Sequence, residues 1–178
     1  MRAYKIPEYP SRLSENMREH NRSDEAWDAS ESPGFLLWNL ENKWQREQRR
    51  ALAPFDLTVV QFLLLSGLAD VALDAAASQI DLARRCRTDP MMTSQVVRTL
   101  ADAGLVERMR DSQDKRAFAV RLSVGGRALL SRAEAAVRVI EKEFFDGLGP
   151  DLPIFADALR LLAGERPRRR VQAVTRPA

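Results

Sequence analysis

The apolar positions of this chain repeat with a helical period over most of its length and with a strand period over one short stretch. Residues 1–31 are a polar stretch interrupted by prolines. Ser32 and Pro33 then give a helix N-cap and a proline at the first helical position. Apolar side chains recur at helical spacing as far as Pro54, so the pattern predicts a first helix over about 32–51.

Capping signals predict the next three helices. Thr58–Gln61 has the spacing of a capping box before an apolar run, and Ser78–Asp81 repeats that spacing before a short helix. An aspartate–proline pair opens a helix over 90–103, and Gly104 is placed to end it. Residues 70–77 are predicted to be a loop or short extension.

Beyond this point the period changes from helix to strand. Val106–Arg110, a polar turn and residues 116–122 predict a β-hairpin. Phe118, Val120 and Leu122 alternate with other residues, as expected of a strand with one buried face.

A long helix is predicted over 124–147, with Ser123 as its cap. A last helix ends at Gly164, and residues 165–178 are predicted to be a basic, flexible tail. The apolar residues of the long helix recur at intervals of three and four, as in a packing seam: Leu130, Ala133, Val137, Ile140 and Phe144. The sequence therefore predicts a mainly α fold with a small β-hairpin.

The composition is that of a soluble globular protein in the cytoplasm. The 178 residues are 45% hydrophobic and 30% charged, enough for one domain with its own core. The apolar run Val59–Ala69 is shorter than the roughly 18 residues of a membrane span, and the first residues lack an apolar signal core. The single cysteine, Cys86, excludes an internal disulfide.

Motifs for catalysis, metals and cofactors are missing from the sequence. The one histidine, His20, lies in the polar stretch, where a base is poorly positioned. No His/Cys cluster has metal-ligand spacing, and Gly125–Gly126 lacks the spacing and lysine of a phosphate loop. We therefore expect a protein that is not an enzyme and that has no catalytic residue, metal or cofactor.

The charge is concentrated in the middle of the chain. Residues 84–132 hold eleven Lys/Arg and five Asp/Glu, a net charge of +6, whereas the whole chain carries +3. This pattern indicates an anionic partner, although a solvated basic face gives the same pattern.

Several motifs resemble the MarR family of bacterial winged helix-turn-helix regulators. Helices, a basic hairpin and a long helix follow one another in the family's order over about residues 33–163. The matching motifs are Leu57-Thr58-x-x-Gln61, Asp81–Arg84, Thr88–Gln95, Ala103–Val106, Asp114–Arg116 and Val120–Ser123.

The resemblance implies a homodimeric repressor that binds a palindromic operator in double-stranded DNA and is released by a small aromatic or anionic effector. It implies a winged helix-turn-helix domain over 32–164. Within it, a DNA-binding lobe spans about 56–123, and helices 32–51 and 124–164 form the dimer. The alternative is a non-catalytic winged-helix module that binds protein or RNA.

The long seam and the apolar faces of the terminal helices exceed what one small domain covers, which is typical of an interface. An intrachain helical bundle is the alternative. The predicted dimer residues are Phe35, Leu36, Val137, Ile140, Phe144, Phe155, Leu159 and Leu162.

Helix 90–103 is the candidate recognition helix, since its early side chains suit base edges and phosphates. Basic residues nearby are candidates for phosphate contact, or are ordinary solvated charges. At the hairpin tip an aspartate is expected to hold an arginine for the minor groove, or to form only a surface salt bridge. The predicted DNA-binding residues are Arg87, Thr88, Met91, Thr93, Ser94, Gln95, Arg98, Arg108, Asp114, Lys115 and Arg116.

Cys86 and a group of three aromatic residues have two interpretations each, and Arg87 departs from the family's pattern. Arg87 stands in the turn where such proteins often carry glycine, which puts the turn geometry in question. Cys86 is a redox switch or, preferably, a small packing residue. Trp38, Trp44 and Phe62 line an effector cleft or, preferably, pack in the core.

Overall fold

The computed structural model describes residues 28–69, 76–110 and 118–166. It consists of helices and a small antiparallel sheet, as predicted. The elements are α1 (Pro33–Leu52), α2 (Val59–Ala69), β1 (Ala77–Ser78), α3 (Gln79–Cys86), α4 (Pro90–Asp102), β2 (Val106–Arg110), β3 (Phe118–Leu122), α5 (Val124–Phe145) and α6 (Leu152–Leu162). Short 3₁₀ helices span Ala29–Glu31, Ala53–Phe55 and Asp146–Asp151.

The chain divides into two compact units, Met1–Leu40 and Glu41–Ala178. In the described part of the first unit, the amide and hydroxyl of Ser30 donate to Asp28 Oδ1 at 2.8 and 2.7 Å. These hydrogen bonds lower the pKa of Asp28. The amide of Phe35 donates to Ser32 Oγ at 3.2 Å, which confirms the predicted cap.

Hydrogen bonds at the helix starts follow the capping signals of the sequence. The Gln61 amide donates to Thr58 Oγ1 at 3.2 Å and the Thr58 amide to Gln61 Oε1 at 2.8 Å, a reciprocal capping box. The Asp81 amide donates to Ser78 Oγ at 3.1 Å, but here the return bond comes from the Ser78 hydroxyl. The bonds from backbone amides satisfy donors that a helix start leaves unpaired.

The sheet has the order β1-β3-β2 and is antiparallel throughout. Val106 pairs with Leu122 and Arg110 with Phe118, so the predicted hairpin is confirmed. The sequence missed β1, which pairs Ala77 with Val120 where residues 70–77 were predicted to be a loop or short extension. Two residues are too few to show a strand period, so only tertiary pairing reveals this strand.

A single leucine-rich core holds the second unit together. Leu64, Leu82, Leu100 and Val120 are fully buried, so α2, α3, α4 and the hairpin share one interior. Burying a leucine side chain contributes roughly 1.5–3 kcal/mol. The core therefore fixes α4 and the hairpin relative to each other.

Three of the five residues in the predicted packing seam of α5 face the core of their own chain and not an interface. Leu130, Ala133 and Val137 are buried in the core of their own chain, and Val137 is 7% exposed. The alternative of intrachain packing holds for these three residues, so Val137 does not belong among the dimer residues.

Aromatic side chains join the start of the second unit to its end. The ring centroid of Trp44 lies 5.1 Å from that of Phe144 and 5.6 Å from that of Phe145. Phe145 in turn lies 6.0 Å from Phe155. Phe144 and Phe155, both predicted at the dimer interface, thus also pack within the chain.

Among the described residues, no single helix is long and apolar enough to cross a membrane. The bent pair Pro33–Phe55 and Val59–Ala69 reaches the necessary length and composition only when both helices are counted together.

Candidate nucleic-acid interface

Helices α3 and α4 form a helix-turn-helix around Arg87. Arg87 has φ 52° and ψ 41°, in the left-handed region that favours glycine. The amide of Thr88 donates to the Ala83 carbonyl at 2.9 Å and so closes the turn. Arg87 therefore adopts a conformation that glycine takes more easily, and its backbone bears the steric strain.

The start of α4 is fixed by a cap and by a pair of threonines. Asp89 Oδ1 accepts from the Met92 amide at 2.9 Å, and Pro90 takes the first helical position. The Thr93 hydroxyl donates to the Asp89 carbonyl at 2.8 Å, and the hydroxyls of Thr88 and Thr93 share a 2.7 Å hydrogen bond. This arrangement orders the turn before the helix.

Thr93 must be removed from the predicted DNA-contacting residues. Its side chain is 0% exposed, and its hydroxyl is hydrogen-bonded on the inner side of α4. Helical spacing places Thr93 beside the buried Val97 and Leu100 on one face. The hydroxyl of Thr93 therefore makes hydrogen bonds at the turn–helix junction and does not face a ligand.

The opposite face of α4 presents Met91, Gln95 and Arg98 to solvent. Met91 is 83% exposed, an unusual position for a large apolar side chain. Arg98 Nη2 lies 3.5 Å from the hydroxyl of the half-buried Ser94, a weak contact along the helix. Residues at spacings of three and four share a face, so these groups can approach one ligand together.

The hairpin places a further arginine on its sheet. The Arg108 guanidinium lies 4.4 Å from the Phe118 ring centroid, a cation–π contact between paired strands. Glu107 and Arg121 face each other across the strands and form an ion pair at 2.6 Å. Asp114, Lys115 and Arg116, predicted at the hairpin tip, lie outside the described residues.

Two arginines near the turn have carboxylate partners on the surface. Arg84 Nη1 lies 2.9 Å from Asp81 Oδ1, and Arg87 Nη2 lies 2.8 Å from Glu165 Oε1. Exposed pairs of this kind contribute about 0–1 kcal/mol, so a DNA phosphate can compete with the carboxylate for either guanidinium.

A cavity of about 550 Å³ opens where α1 meets α2, both within the second unit here. Neither Trp44 nor Phe62 lines this cavity: Phe62 packs against the core as preferred, and Trp44 packs on phenylalanines. Trp38 is 59% exposed, so the preferred interpretation of core packing is wrong for that residue. The sequence did not single out this site, because a cavity has no periodic signal. Its lining residues are Gln45, Arg49, Ala53, Asp56, Leu57, Thr58, Val59 and Val60.

Cys86 packs tightly within the lobe. Its thiol is half-buried and donates to the Leu63 carbonyl at 3.5 Å. A Cβ at Gly67 would overlap its Sγ. The contacts favour the packing role.

The fold and this surface define a winged helix-turn-helix protein. A family model described as the MarR family matches residues 57–118. The uncharacterized HTH-type transcriptional regulator YdcH of Bacillus subtilis (strain 168) is 43% identical over 115 residues, which are 64% of this chain and 78% of that protein. The chain belongs to the MarR family of transcriptional regulators.

Two further comparisons agree. The HTH-type transcriptional repressor Rv2887 of Mycobacterium tuberculosis (strain ATCC 25618 / H37Rv) is 34% identical over 114 residues, 64% of this chain and 80% of that protein. The structure of Bordetella bronchiseptica BpsR superposes with a TM-score of 0.71 at 25% identity, covering 78% of this chain and 97% of that one. The latter structure concerns regulation of DNA binding by 6-hydroxynicotinic acid.

Proposed function

We propose that this regulator is a cytoplasmic, non-catalytic, homodimeric repressor that binds a palindromic operator and is released by a small anionic or aromatic effector. The observation that carries the proposal is the exposed face of α4. Its donors point outward from a helix whose start is fixed by the Asp89 cap and the Thr88–Thr93 hydrogen bond. A preordered face loses little entropy on binding.

The proposed DNA-contacting side chains fall into those that suit base edges and those that suit phosphates. Gln95 and Ser94 are short enough to donate and accept at base edges in the major groove, and Met91 suits a thymine methyl. Arg87 and Arg108 suit phosphates, with Thr88 beside them at the turn. The hairpin-tip residues Asp114, Lys115 and Arg116 are proposed to reach the neighbouring minor groove.

In the proposed domain arrangement the helices over 32–51 and 124–164 form the dimer, and α6 contributes an apolar stripe to it. Leu159 is half-exposed and Leu162 is 82% exposed, and both lie on one stripe of α6 with Phe155. An open groove of about 420 Å³ runs between α5 and α6, lined by Phe145, Leu152, Phe155 and Leu159 among others. A second copy of the chain is the proposed cover for this apolar surface. Phe35 and Leu36 are likewise exposed.

The effector is proposed to bind in the 550 Å³ cavity between α1 and α2. Its walls are largely apolar, and Arg49 and Gln45 supply a charge and an amide that suit a carboxylate. The regulation of BpsR by 6-hydroxynicotinic acid supports an acidic aromatic ligand. Coupling between such a site and DNA is typically about 1–3 kcal/mol.

A matched pair of variants tests the proposal. Arg98→Ala removes a donor from the exposed face of α4, and Arg132→Ala removes an equally charged, exposed side chain from α5 that does not line the groove between α5 and α6. With a duplex selected by the protein from random sequence, Arg98→Ala should weaken binding by about 1–3 kcal/mol while Arg132→Ala has little effect. Equal affinities for all three proteins would contradict the proposal. Preference for single-stranded RNA or for a protein would support the alternative module.

A further inference from the structure

Two helices of the second unit end in the same type of cap, and the first of them is α3. The amide of Arg87 donates to the Arg84 carbonyl at 3.3 Å, and the amide of Thr88 donates to the Ala83 carbonyl at 2.9 Å. These two bonds, with Arg87 at φ 52°, are those of a Schellman motif. The backbone of Arg87 is therefore fixed at the end of α3.

Helix α6 ends in the same way. Gly164 adopts φ 73°, and its amide donates to the Leu161 carbonyl at 3.1 Å. The amide of Glu165 donates to the Arg160 carbonyl at 2.8 Å. Such a cap fixes the direction in which the chain leaves the helix, so the backbone of Glu165 is also held in place.

An ion pair joins these two helix ends. Glu165 Oε1 lies 2.8 Å from Arg87 Nη2, although the two residues are 78 positions apart. Because caps fix both backbones, forming the pair orders two side chains and no loop. By contrast, Arg84 pairs with Asp81 of its own helix, three positions away. The pair between Arg87 and Glu165 therefore depends on where the fold places the end of α6.

The guanidinium of Arg87 is also a proposed phosphate contact of the helix-turn-helix. A carboxylate and a phosphodiester are both anions that accept charge-assisted hydrogen bonds from a guanidinium. Glu165 would stand only a few ångströms from a phosphate bound to the same group, and like charges repel at that distance. Arg87 must therefore leave Glu165 before it binds DNA.

We infer that Glu165 competes with DNA for Arg87 and so lowers the affinity of the protein for its operator. The inference rests on the proposed function, because it requires that Arg87 lies beside the DNA backbone. Glu165 acts through Arg87 and makes no contact with DNA itself. The free energy of the ion pair is lost from DNA binding once in each subunit of a dimer. Since the competing group is a backbone phosphate, the effect is the same for any duplex sequence.

A double-mutant cycle in the full chain tests this competition. Glu165→Gln keeps the size of the side chain and removes its charge. Arg87→Gln removes the guanidinium and keeps a residue with a Cβ in the left-handed turn, so the backbone strain is unchanged. Wild type, both single variants and the double variant are measured on a duplex that wild type selects from random sequence and on an unrelated duplex of equal length. Dimer content and thermal unfolding are recorded for each protein.

Glu165→Gln should bind both duplexes about two- to fivefold more tightly for each subunit, the range expected when an exposed ion pair no longer has to open. Its melting temperature should not rise, so the tighter binding cannot come from a more stable fold. In the Arg87→Gln background the same glutamate substitution should lose most of this gain. The cycle is repeated with Arg87→Gly, because glycine suits the left-handed turn and keeps the fold if Arg87→Gln is unstable.

The contradicting outcomes separate this inference from the proposed function. If wild type binds the selected duplex and Glu165→Gln binds it no more tightly, the competition is overturned and the proposed function stands. An equal gain with and without Arg87 would also overturn the competition, because Glu165 would then act only as a nearby negative charge. Failure of wild type to bind any duplex would overturn the proposed function, and the inference with it.

Discussion

The lobe around α4 and the last helix, α6, place their leucines in opposite environments. Leu100 of α4 is fully buried among residues of its own chain, whereas Leu162 of α6 is 82% exposed. The core apolar side chains of the lobe are buried by contacts within the chain. Its outer face, on α4, therefore is not needed for packing and is available to a ligand. The second region leaves apolar surface that its own chain does not cover, which is the physical reason to expect a second copy there.

The largest effect is expected on the free energy of unfolding when a buried leucine of the lobe around α4 is shortened. Leu100→Ala deletes a side chain from a close-packed site and should lower the free energy of unfolding by about 2–5 kcal/mol. Leu162→Ala is the matched control, since it makes the same chemical change at an exposed position. Denaturation with urea, at a concentration where the wild type is monomeric, measures both. Similar losses of unfolding free energy in the two variants would contradict the difference in burial between the lobe and α6.

Charged substitutions on the exposed apolar surface of α6 should prevent dimer formation. Leu159→Asp combined with Leu162→Asp puts two charges into the stripe that a second copy is expected to cover, and central interface residues typically contribute 2 kcal/mol or more. The double variant should sediment as a folded monomer that binds DNA far more weakly. Val124→Asp is the control, because Val124 is an exposed apolar residue at the start of α5 and does not belong to the stripe of α6. A double variant that remains dimeric would contradict this assignment.

Removal of one buried hydroxyl tests whether hydrogen bonds inside the lobe order α4. Thr93→Val keeps the shape of the side chain but removes the hydroxyl that pairs with the Thr88 hydroxyl, while the Asp89 carbonyl keeps its bond from the amide of residue 93. Unsatisfied groups of this kind cost about 1–3 kcal/mol, so both stability and DNA affinity should fall. Thr99→Val is the control on the same helix, since its hydroxyl is exposed and its hydrogen bond to the Gln95 carbonyl is long, at 3.4 Å. If the two variants behave alike, the buried junction does not order α4.

The smallest effect is expected at the turn. Arg87→Gly relieves the left-handed backbone but raises the entropy of the unfolded chain and removes the pair with Glu165. These contributions oppose one another, so the melting temperature should change by only a few degrees, corresponding to about 1 kcal/mol or less. A large drop in melting temperature would show that the ion pair stabilises the fold strongly.

The elements of the fold with local causes were predictable from the sequence. The capping box at Thr58–Gln61, the proline-started α4 and the alternation in β3 are all set by residues within a few positions of one another. The strand β1 was missed because two residues have no period, and only pairing with β3 defines it.

Errors about the site arose where burial decides the role. Thr93 is polar and lies early in α4, so sequence alone favoured DNA contact; its position on the core side decides otherwise. Val137 belongs to a regular apolar seam, and the same seam serves an interface or a core according to what packs on it. The ion pair of Arg87 with Glu165 joins residues far apart in the chain, which no local pattern shows.

The outward face of α4 is proposed to read DNA in a symmetric dimer. Selection of binding sites from random duplexes, with wild type and with Gln95→Ala, tests this proposal. We expect an inverted repeat whose half-sites are about 10–10.5 base pairs, or a multiple of that spacing, apart. Gln95→Ala should relax the preference at corresponding positions of both half-sites. Enrichment of no duplex, or of an asymmetric one that both proteins select identically, would contradict DNA reading by α4 in a symmetric dimer.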